Sequence, residues 1–297
     1  MIRKKSSDSS RPRRRSGGGL LLLIIALVLG GVLAHQHWPT LSARHDELVL
    51  DGQRFWRKAV TRLGFPLPGT PKLDKLDERL AAAGQKLGDP IFMRIFKREF
   101  LLEIWMQRDG RFQHFATYPI CRYSGDLGPK LQQGDRQSPE GVYTVASGQL
   151  NPQSRWRRSF NLGFPNRFDS AHGRTGSYLM VHGGCSSIGC YAMTNDVIDE
   201  IWQIVTAALD KGQHRFQVQV FPFRMTDEAL TARSDQKWAP FWRDLKAAHD
   251  LFEETRVPPR VSVCGKRYQF LAGAAGSDGS APITEACAPE SDSAATN

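Results

Sequence analysis

The stretch YLMVHGGCSSIGCYAM, residues 178–193, places one histidine and two cysteines within nine positions. Cysteines at this spacing can bind zinc, form a disulfide or attack a substrate. The redox compartment decides which of these chemistries is available. The N-terminus of the chain indicates this compartment, and the chemistry of His182, Cys185 and Cys190 follows from it.

The positive charge of the chain is concentrated in its first residues. Residues 1–16 contain seven Lys or Arg and one Asp, a local charge of 7 − 1 = +6, out of a formal total of +10. Subtraction leaves +4 over the remaining 281 residues. The charge thus indicates a short cytoplasmic basic leader and argues against a nucleic-acid partner.

An apolar segment follows the leader. Residues 17–34, GGGLLLLIIALVLGGVLA, are eighteen uncharged and mostly apolar residues, about the minimum needed to cross a ~30 Å hydrocarbon layer. Basic residues on the N-terminal side favour a cytoplasmic N-terminus. We expect a signal anchor or transmembrane helix over 17–34 and export of the remainder, released if a protease cleaves after Ala34.

The remaining chain predicts several regions. Residues 35–89 are polar with a short helical repeat and indicate a membrane-proximal spacer, whereas residues 90–224 contain short runs of branched and aromatic residues typical of strands. Residues 225–270 predict a helical extension, and residues 271–297 are small and polar, which favours disorder. The predicted fold class is mainly β with flanking helices, an α+β fold.

Two elements are predicted after the opening stretch. TNDVIDEIWQIVTAALDKGQ has helical periodicity with Thr194 or Asn195 as N-cap, and RFQVQVFPF alternates as a strand. APFWRDLKAAHDLFEET predicts a second helix, whose Trp242, Leu245 and Leu251 would pack on the core.

Five cysteines in an exported chain leave at least one thiol without an intramolecular partner. Cys264 and Cys287 are candidates to pair across the tail, and Cys121 is expected at a buried strand end. Cys185 and Cys190 could pair only by closing a very small loop. A zinc site would need a second ligand pair, and the sequence provides none.

A nucleophilic cysteine accounts for more of the residues. SYLMVH predicts a strand that ends at His182, and the glycine- and serine-rich loop after it can bring Cys190 opposite that histidine. A helix shortly after Cys190, and His182 as an imidazolium, would lower the thiol pKa. A thiolate at neutral pH is the resulting hypothesis, with Cys185 as a packed bystander thiol.

VHGGCSSIGCYAM resembles the active-site signature of the L,D-transpeptidase catalytic domain, the YkuD-type family of peptidoglycan enzymes. CRYSGDLGPKLQQGDRQSPEGVYTV and LGFPNRFDSAHGRTG are similar to its YafK-like branch. The resemblance implies a β-sandwich or barrel-like domain, with Cys190 as nucleophile, His182 as base, and Gly183, Ser187 and Gly189 in the site loop. Ile188 and Ala192 stand where many members have His and Arg, a pattern that the branch shares.

The resemblance further implies attack by Cys190 on the carbonyl at the L-centre of meso-diaminopimelate in a peptidoglycan stem peptide, giving a thioester. The backbone amides of Gly189 and Cys190 are candidate oxyanion donors. An acceptor amine would give transpeptidation, and water would give a cysteine amidase that releases a wall-bound lipoprotein. A catalytically silent peptidoglycan anchor is the alternative of another class. This chemistry requires no cofactor or metal, and it would take place in the bacterial periplasm.

Other polar residues are weaker candidates. Substrate carboxylates would favour cations in the cleft, and Arg122 and Lys130 are weak substrate-binding candidates. His172 is expected in a solvated hairpin turn and not as the base. Pro139-Glu140-Gly141 is expected to form a turn.

Overall fold

The computed structural model describes residues 18–36, 38–274 and 279–287. The predicted basic leader, residues 1–16, lies outside the described residues. The chain divides into two compact units, Met1–His45 and Asp46–Asn297. Among the described residues, no helix combines the length and apolarity needed for a membrane span.

In the described residues the α-helices are α1 (Gly18–Gln36), α2 (Trp38–Arg62), α3 (Leu76–Ala82), α4 (Arg167–Ala171), α5 (Asn195–Asp210), α6 (Asp227–Thr231) and α7 (Ala239–Thr255). The strands are β1 (Ile91–Phe96), β2 (Leu101–Arg108), β3 (Arg111–Pro119), β4 (Gly141–Ala146), β5 (Leu150–Asn151), β6 (Ser159–Asn161), β7 (Met180–His182), β8 (Tyr191–Ala192), β9 (Arg215–Phe221), β10 (Arg260–Cys264), β11 (Arg267–Leu271) and β12 (Thr284–Glu285). The fold is α+β, as predicted.

A five-stranded sheet in the order β3-β2-β1-β9-β4 forms the centre of the second unit. Strand β1 is buried along its whole length because both faces of the sheet are covered. Alternate side chains of a strand point to opposite faces. Ile91, Met93 and Ile95 accordingly belong to one core cluster, and Phe96 belongs to another.

Helix α5 covers the first face. Its Val197, Ile201 and Val205 share a core cluster with β1 and with Val181 of the second sheet, which has the order β5-β6-β7-β8. The four-residue spacing of these side chains puts them on one helix face. The predicted helix and the strand after it, β9, are confirmed.

Helix α7 covers the other face of the central sheet. Trp242 and Leu245 are buried in the second cluster, as predicted, while Leu251 is half-buried. The following residues are not all helical, because β10 and β11 pair antiparallel. The helical extension predicted over 225–270 is corrected for this hairpin.

Part of the predicted spacer is built into the folded unit. Asp46 of α2 forms ion pairs with Arg98 at 3.0 Å and with Arg233 at 2.8 Å, and Arg57 donates to the Ile120 carbonyl at 3.0 Å. The sequence could not predict these contacts, because the partner residues lie far away in the chain. From Asp46 onward, residues 35–89 are therefore more than a spacer.

The tail also contains structure. β12 pairs in parallel with β10, and Cys264 and Cys287 form a disulfide, as considered from the sequence. The disorder predicted over 271–297 is corrected for residues 279–287, which this disulfide and β12 attach to the domain. Residues 275–278 and 288–297 lie outside the description.

Candidate active site

The pairing of β7 with β8 brings His182 and Cys190 together. The two strands are parallel, with His182 opposite Ala192, so that Cys190, just before β8, lies beside Met180. The Met180 N–H donates to Cys190 Sγ at 3.4 Å, and the thiol donates to the Tyr178 carbonyl at 3.7 Å. Met180 and His182 share a face of the strand, and both line the cavity that contains Cys190.

His182 and Cys190 line one cavity of about 270 Å³. Three apolar or aromatic side chains surround its mouth: Trp156 is 38% exposed, Tyr178 76% and Ile188 78%. Exposed side chains of this size beside a polar pair are typical of a site that contacts a ligand. Ser186 and Ser187 complete one wall.

The His182 ring is held on two sides. Its Nδ1 lies 2.5 Å from the Gly183 carbonyl, and Trp156 stacks on the ring with the centroids 6.0 Å apart. A carbonyl only accepts, so this contact assigns the proton to Nδ1 and leaves the Nε2 lone pair free. Burial lowers the pKa of His182, although the Gly183 carbonyl opposes the shift.

Cys190 is the free cysteine among the described residues, and it is half-buried. Burial raises the pKa of its thiol, while the Met180 N–H and the charge of Lys130 lower it by less. Both shifts run against the hypothesis of a preformed thiolate, because they favour a neutral thiol beside a neutral imidazole.

The first residues of helix α5 line a neighbouring cleft. Thr194, Asn195 and Asp196 line this cleft together with residues 184–187 of the site loop, whereas Cys190 lines the His182 cavity. The field of a helix terminus is strong only near its first turn.

Three serines hold the loop that leads into Cys190. The Gly189 N–H donates to Ser124 Oγ at 2.5 Å, and the hydroxyls of Ser187 and Ser138 donate to the Cys190 carbonyl at 2.7 and 3.1 Å. The Gly189 amide is thus engaged by a hydroxyl, which corrects its expected role as a free oxyanion donor. Ser187 lies in the site loop, as expected.

Ser124 and Ser138 were missed by the sequence interpretation, as was the buried pair behind them. Lys97 and Glu140 form an ion pair of 2.9 Å with both side chains fully buried. Lys97 Nζ also donates to three carbonyls of the segment that carries these serines, those of Asp126, Gly128 and Ser138. Glu140, expected in a turn, therefore fixes the segment against the sheet through Lys97. A single Lys directly after a strand carries no sequence signal of this role.

Gly183 is required by crowding. A Cβ at this position would lie 2.8 Å from Asn195 Oδ1, 2.9 Å from Ile198 Cγ2 and 3.0 Å from the Trp156 carbonyl. Any side chain would push apart the strand that carries His182, helix α5 and the Trp156 loop. The position of this glycine in the site loop is as expected.

Cys185 is not a packed thiol. It forms a disulfide with Cys121, 64 residues earlier, which ties the site loop to the residues after β3. Cys185 adopts a left-handed backbone conformation with φ 51°. Both the small-loop disulfide with Cys190 and a zinc site using Cys185 are excluded because its sulfur is already bonded.

The weaker candidates lie elsewhere. Lys130 is buried and paired with Asp135 at 2.5 Å, so it acts on Cys190 through space and is not a free substrate contact. Arg122 lines the cleft at the start of α5. His172 is exposed, as expected, but it caps helix α4 and does not lie in a hairpin turn. In the described residues, no group of three or more His, Cys, Asp or Glu is placed to hold a metal ion.

Residues 95–220 match the family model of the YkuD L,D-transpeptidase catalytic domain. The chain is also 50% identical over 184 residues to the Escherichia coli K12 protein named "Putative L,D-transpeptidase YafK", covering 62% of this chain and 75% of that protein. The chain belongs to the L,D-transpeptidase family. The resemblance found in the 178–193 stretch is thereby confirmed.

Two solved structures are more distant from this L,D-transpeptidase-family chain. The helical cell shape determining protein Pgp2 from Campylobacter jejuni is 20% identical with a TM-score of 0.37, over 59% of this chain and 66% of Pgp2. Bd1075 from Bdellovibrio bacteriovorus is 20% identical with a TM-score of 0.33, over 55% of this chain and 60% of Bd1075. At these scores neither structure supports a conclusion about this protein.

Proposed function

We propose that this protein is an exported cysteine enzyme of the cell wall. Its Cys190 attacks the carbonyl at the L-centre of meso-diaminopimelate in peptidoglycan stem peptides and forms a thioester there. One observation carries the proposal: the unpaired cysteine of the described chain shares a cavity with a histidine whose Nε2 is free. Family membership supports peptidoglycan as the substrate.

In the first step the Cys190 sulfur attacks the carbonyl carbon and forms the C–S bond. His182 Nε2 takes the thiol proton, the C–N bond of the substrate breaks, and the imidazolium returns the proton to the leaving amine. The Gly183 carbonyl, which accepts from Nδ1, stabilises the transient imidazolium. The proton lost by the thiol thus ends on the leaving amine.

Two features of the site favour proton transfer during attack over a stored thiolate. The pKa of Cys190 is raised and that of His182 is lowered, so both groups are neutral before substrate binds. The transient negative charge on the substrate oxygen needs a donor, and the Cys190 N–H is our candidate, since the Gly189 N–H already donates to Ser124.

In the second step an acceptor attacks the thioester, the C–S bond breaks and the acceptor's proton returns through His182 to the thiolate. An amine acceptor produces a 3→3 cross-link or an attached protein. Water completes a hydrolysis that trims stem peptides or frees a wall-bound lipoprotein. The same Cys190–His182 pair serves both acceptors.

Export is part of the proposal. Disulfides persist mainly in oxidising compartments, and the chain has two, Cys121–Cys185 and Cys264–Cys287. We propose that the catalytic unit works in the periplasm, attached through residues 17–34 or released after Ala34. Protease accessibility in spheroplasts tests the side of the membrane, and N-terminal sequencing tests cleavage.

The experiment that tests the reaction is mass spectrometry of muropeptides after the full chain is incubated with sacculi, with and without bound lipoprotein. New 3→3 cross-linked dimers would show transfer. Released lipoprotein or shortened stems without new dimers would show hydrolysis.

The Cys190→Ala variant is the control for either outcome, and Cys264→Ser/Cys287→Ser tests whether a distant disulfide matters. Turnover should be lost in the first variant and kept in the second. Unchanged turnover in Cys190→Ala would refute the proposed mechanism.

A further inference from the structure

A second and larger cleft lies beside the Cys190 cavity. It encloses about 940 Å³ between the end of α2, the start of α5 and the 184–187 loop. Ser186 and Ser187 line both this cleft and the Cys190 cavity, so one short wall separates them. A ligand chain that passes over these two serines can occupy both spaces.

Three cations line the cleft: Lys58, Arg62 and Arg122. Lys58 and Arg62 are four residues apart on α2 and therefore project from the same helix face. None of the three forms an ion pair with a residue in the described part of the chain, in contrast to the many paired arginines of this protein.

The charge of the cleft is positive even after its acidic residue is counted. Asp196 is the one carboxylate among the described lining residues, and its charge also acts on Arg157, which is outside that lining. By comparison, Arg57 on the same helix is buried and donates to the Ile120 carbonyl. Arg57 serves the fold, whereas Lys58 and Arg62 are exposed and available to a ligand.

Apolar residues also line the cleft. Phe65, Pro66 and Leu73 line the cleft together with the hydroxyl residues Thr61 and Thr70. A cleft lined by both cations and apolar side chains fits a flexible ligand that has carboxylates on an aliphatic backbone, since guanidinium groups bind carboxylates in bidentate geometry.

We propose that this cleft is a substrate subsite, in which Lys58, Arg62 and Arg122 bind a carboxylate of the peptide that extends from the Cys190 cavity across Ser186 and Ser187. The inference rests on the proposed function for its substrate class, an acidic wall peptide. The subsite orients the peptide on one side of the scissile bond, and its cations take no part in bond making.

The test measures equilibrium binding to the full chain carrying Cys190→Ala, so that turnover is not needed. The probes are a disaccharide tetrapeptide containing diaminopimelate and the same compound with its carboxylates converted to carboxamides. In this background we expect Lys58→Ala/Arg62→Gln/Arg122→Gln to weaken binding of the acid about tenfold or more, since about 1.4 kcal/mol corresponds to tenfold. The carboxamide should bind weakly and with equal affinity to both proteins.

A matched variant controls for net charge. Lys86, Arg111 and Arg243 are exposed and lie outside both cavities. The variant Lys86→Ala/Arg111→Gln/Arg243→Gln therefore removes the same charge, and it should leave the affinity within about twofold, well below the tenfold that corresponds to about 1.4 kcal/mol.

Three outcomes would overturn the subsite: equal affinity for the acid and the carboxamide, no detectable binding of the acid, or an equal loss of affinity in both triple variants. Turnover of sacculi by the unaltered protein tests the proposed function separately, since binding to the Cys190→Ala protein does not depend on it.

Discussion

Cys121 and Cys185 form a disulfide that ties the residues after β3 to the loop between His182 and Cys190. The two cysteines are 64 residues apart in the chain, and Cys185 adopts a left-handed conformation. Cys185 N–H also donates to the Met193 carbonyl at 3.2 Å, just beyond β8. The disulfide and this hydrogen bond thus attach Cys185 both to the residues after β3 and to the residue that follows β8.

Removing this disulfide should affect both stability and catalysis. We expect Cys121→Ser/Cys185→Ser to lose about 3–4 kcal/mol of unfolding free energy, because the bond restricts a long loop in the unfolded chain. Turnover should fall as well, since the loop that positions Cys190 gains freedom. Urea unfolding and a muropeptide assay measure the two effects.

The disulfide between Cys264 and Cys287 is the matched control. It closes a shorter loop of 23 residues, far in sequence from the site, so Cys264→Ser/Cys287→Ser should lose stability but keep turnover at temperatures where it stays folded. Equal loss of turnover in both variants would show that the Cys121–Cys185 bond has no particular role at the site.

Trp156 should control the titration of His182. Burial lowers the pKa of this histidine, and Trp156 stacks on one side of its ring. Trp156→Ala admits water, so the pKa should rise toward the ordinary ~6.5 and the acid limb of kcat/KM should move to higher pH. Trp156→Phe, which keeps an aromatic cover, should retain the original limb; identical limbs in all three proteins would contradict this assignment.

The thiol of Cys190 should titrate above its ordinary pKa of 9.0. Because burial disfavours the thiolate, the rate of alkylation by iodoacetamide should keep rising with pH beyond that value. Lys130 opposes this shift, so Lys130→Met/Asp135→Asn should move the inflection still higher, while Lys86→Met leaves it unchanged. An inflection below pH ~8.5 in the unaltered protein would indicate a stored thiolate instead.

The sequence predicted those parts of the fold that depend on local pattern. Helix α5 follows from the four-residue apolar spacing after Thr194, and the proximity of His182 and Cys190 follows from a short strand and a glycine-rich return. The turn at Asp109-Gly110 between β2 and β3 is equally local, with both residues at positive φ. In each case the residues that decide the structure are neighbours in the chain.

The missed features depend on partners that are distant in sequence. Ser124 and Gly189 are 65 residues apart, and no periodicity connects them. The direction of the Cys190 pKa shift also depends on distant partners, because burial raises it and the charge of Lys130, 60 residues earlier, opposes the rise. Residue spacing alone could not predict that burial raises the pKa of the thiol by more than the Met180 N–H and Lys130 lower it.

The ion pair of Lys97 and Glu140 should be the most sensitive site outside the cavity. Both side chains are fully buried, so Lys97→Met leaves a buried carboxylate without its cation and should cost about 3–5 kcal/mol. The exposed pair of Lys75 and Glu78, at 2.8 Å, is the control, and Lys75→Met should cost no more than ~1 kcal/mol.

The same substitution should also affect turnover. Lys97 donates to the Ser138 carbonyl at 3.1 Å, and Ser138 donates to the Cys190 carbonyl. Lys97→Met should therefore slow turnover at temperatures where the protein remains folded. Urea unfolding and muropeptide turnover measured on the two variants decide the point, and a Lys97→Met protein with the stability and turnover of Lys75→Met would show that the buried pair does not hold the site segment in place.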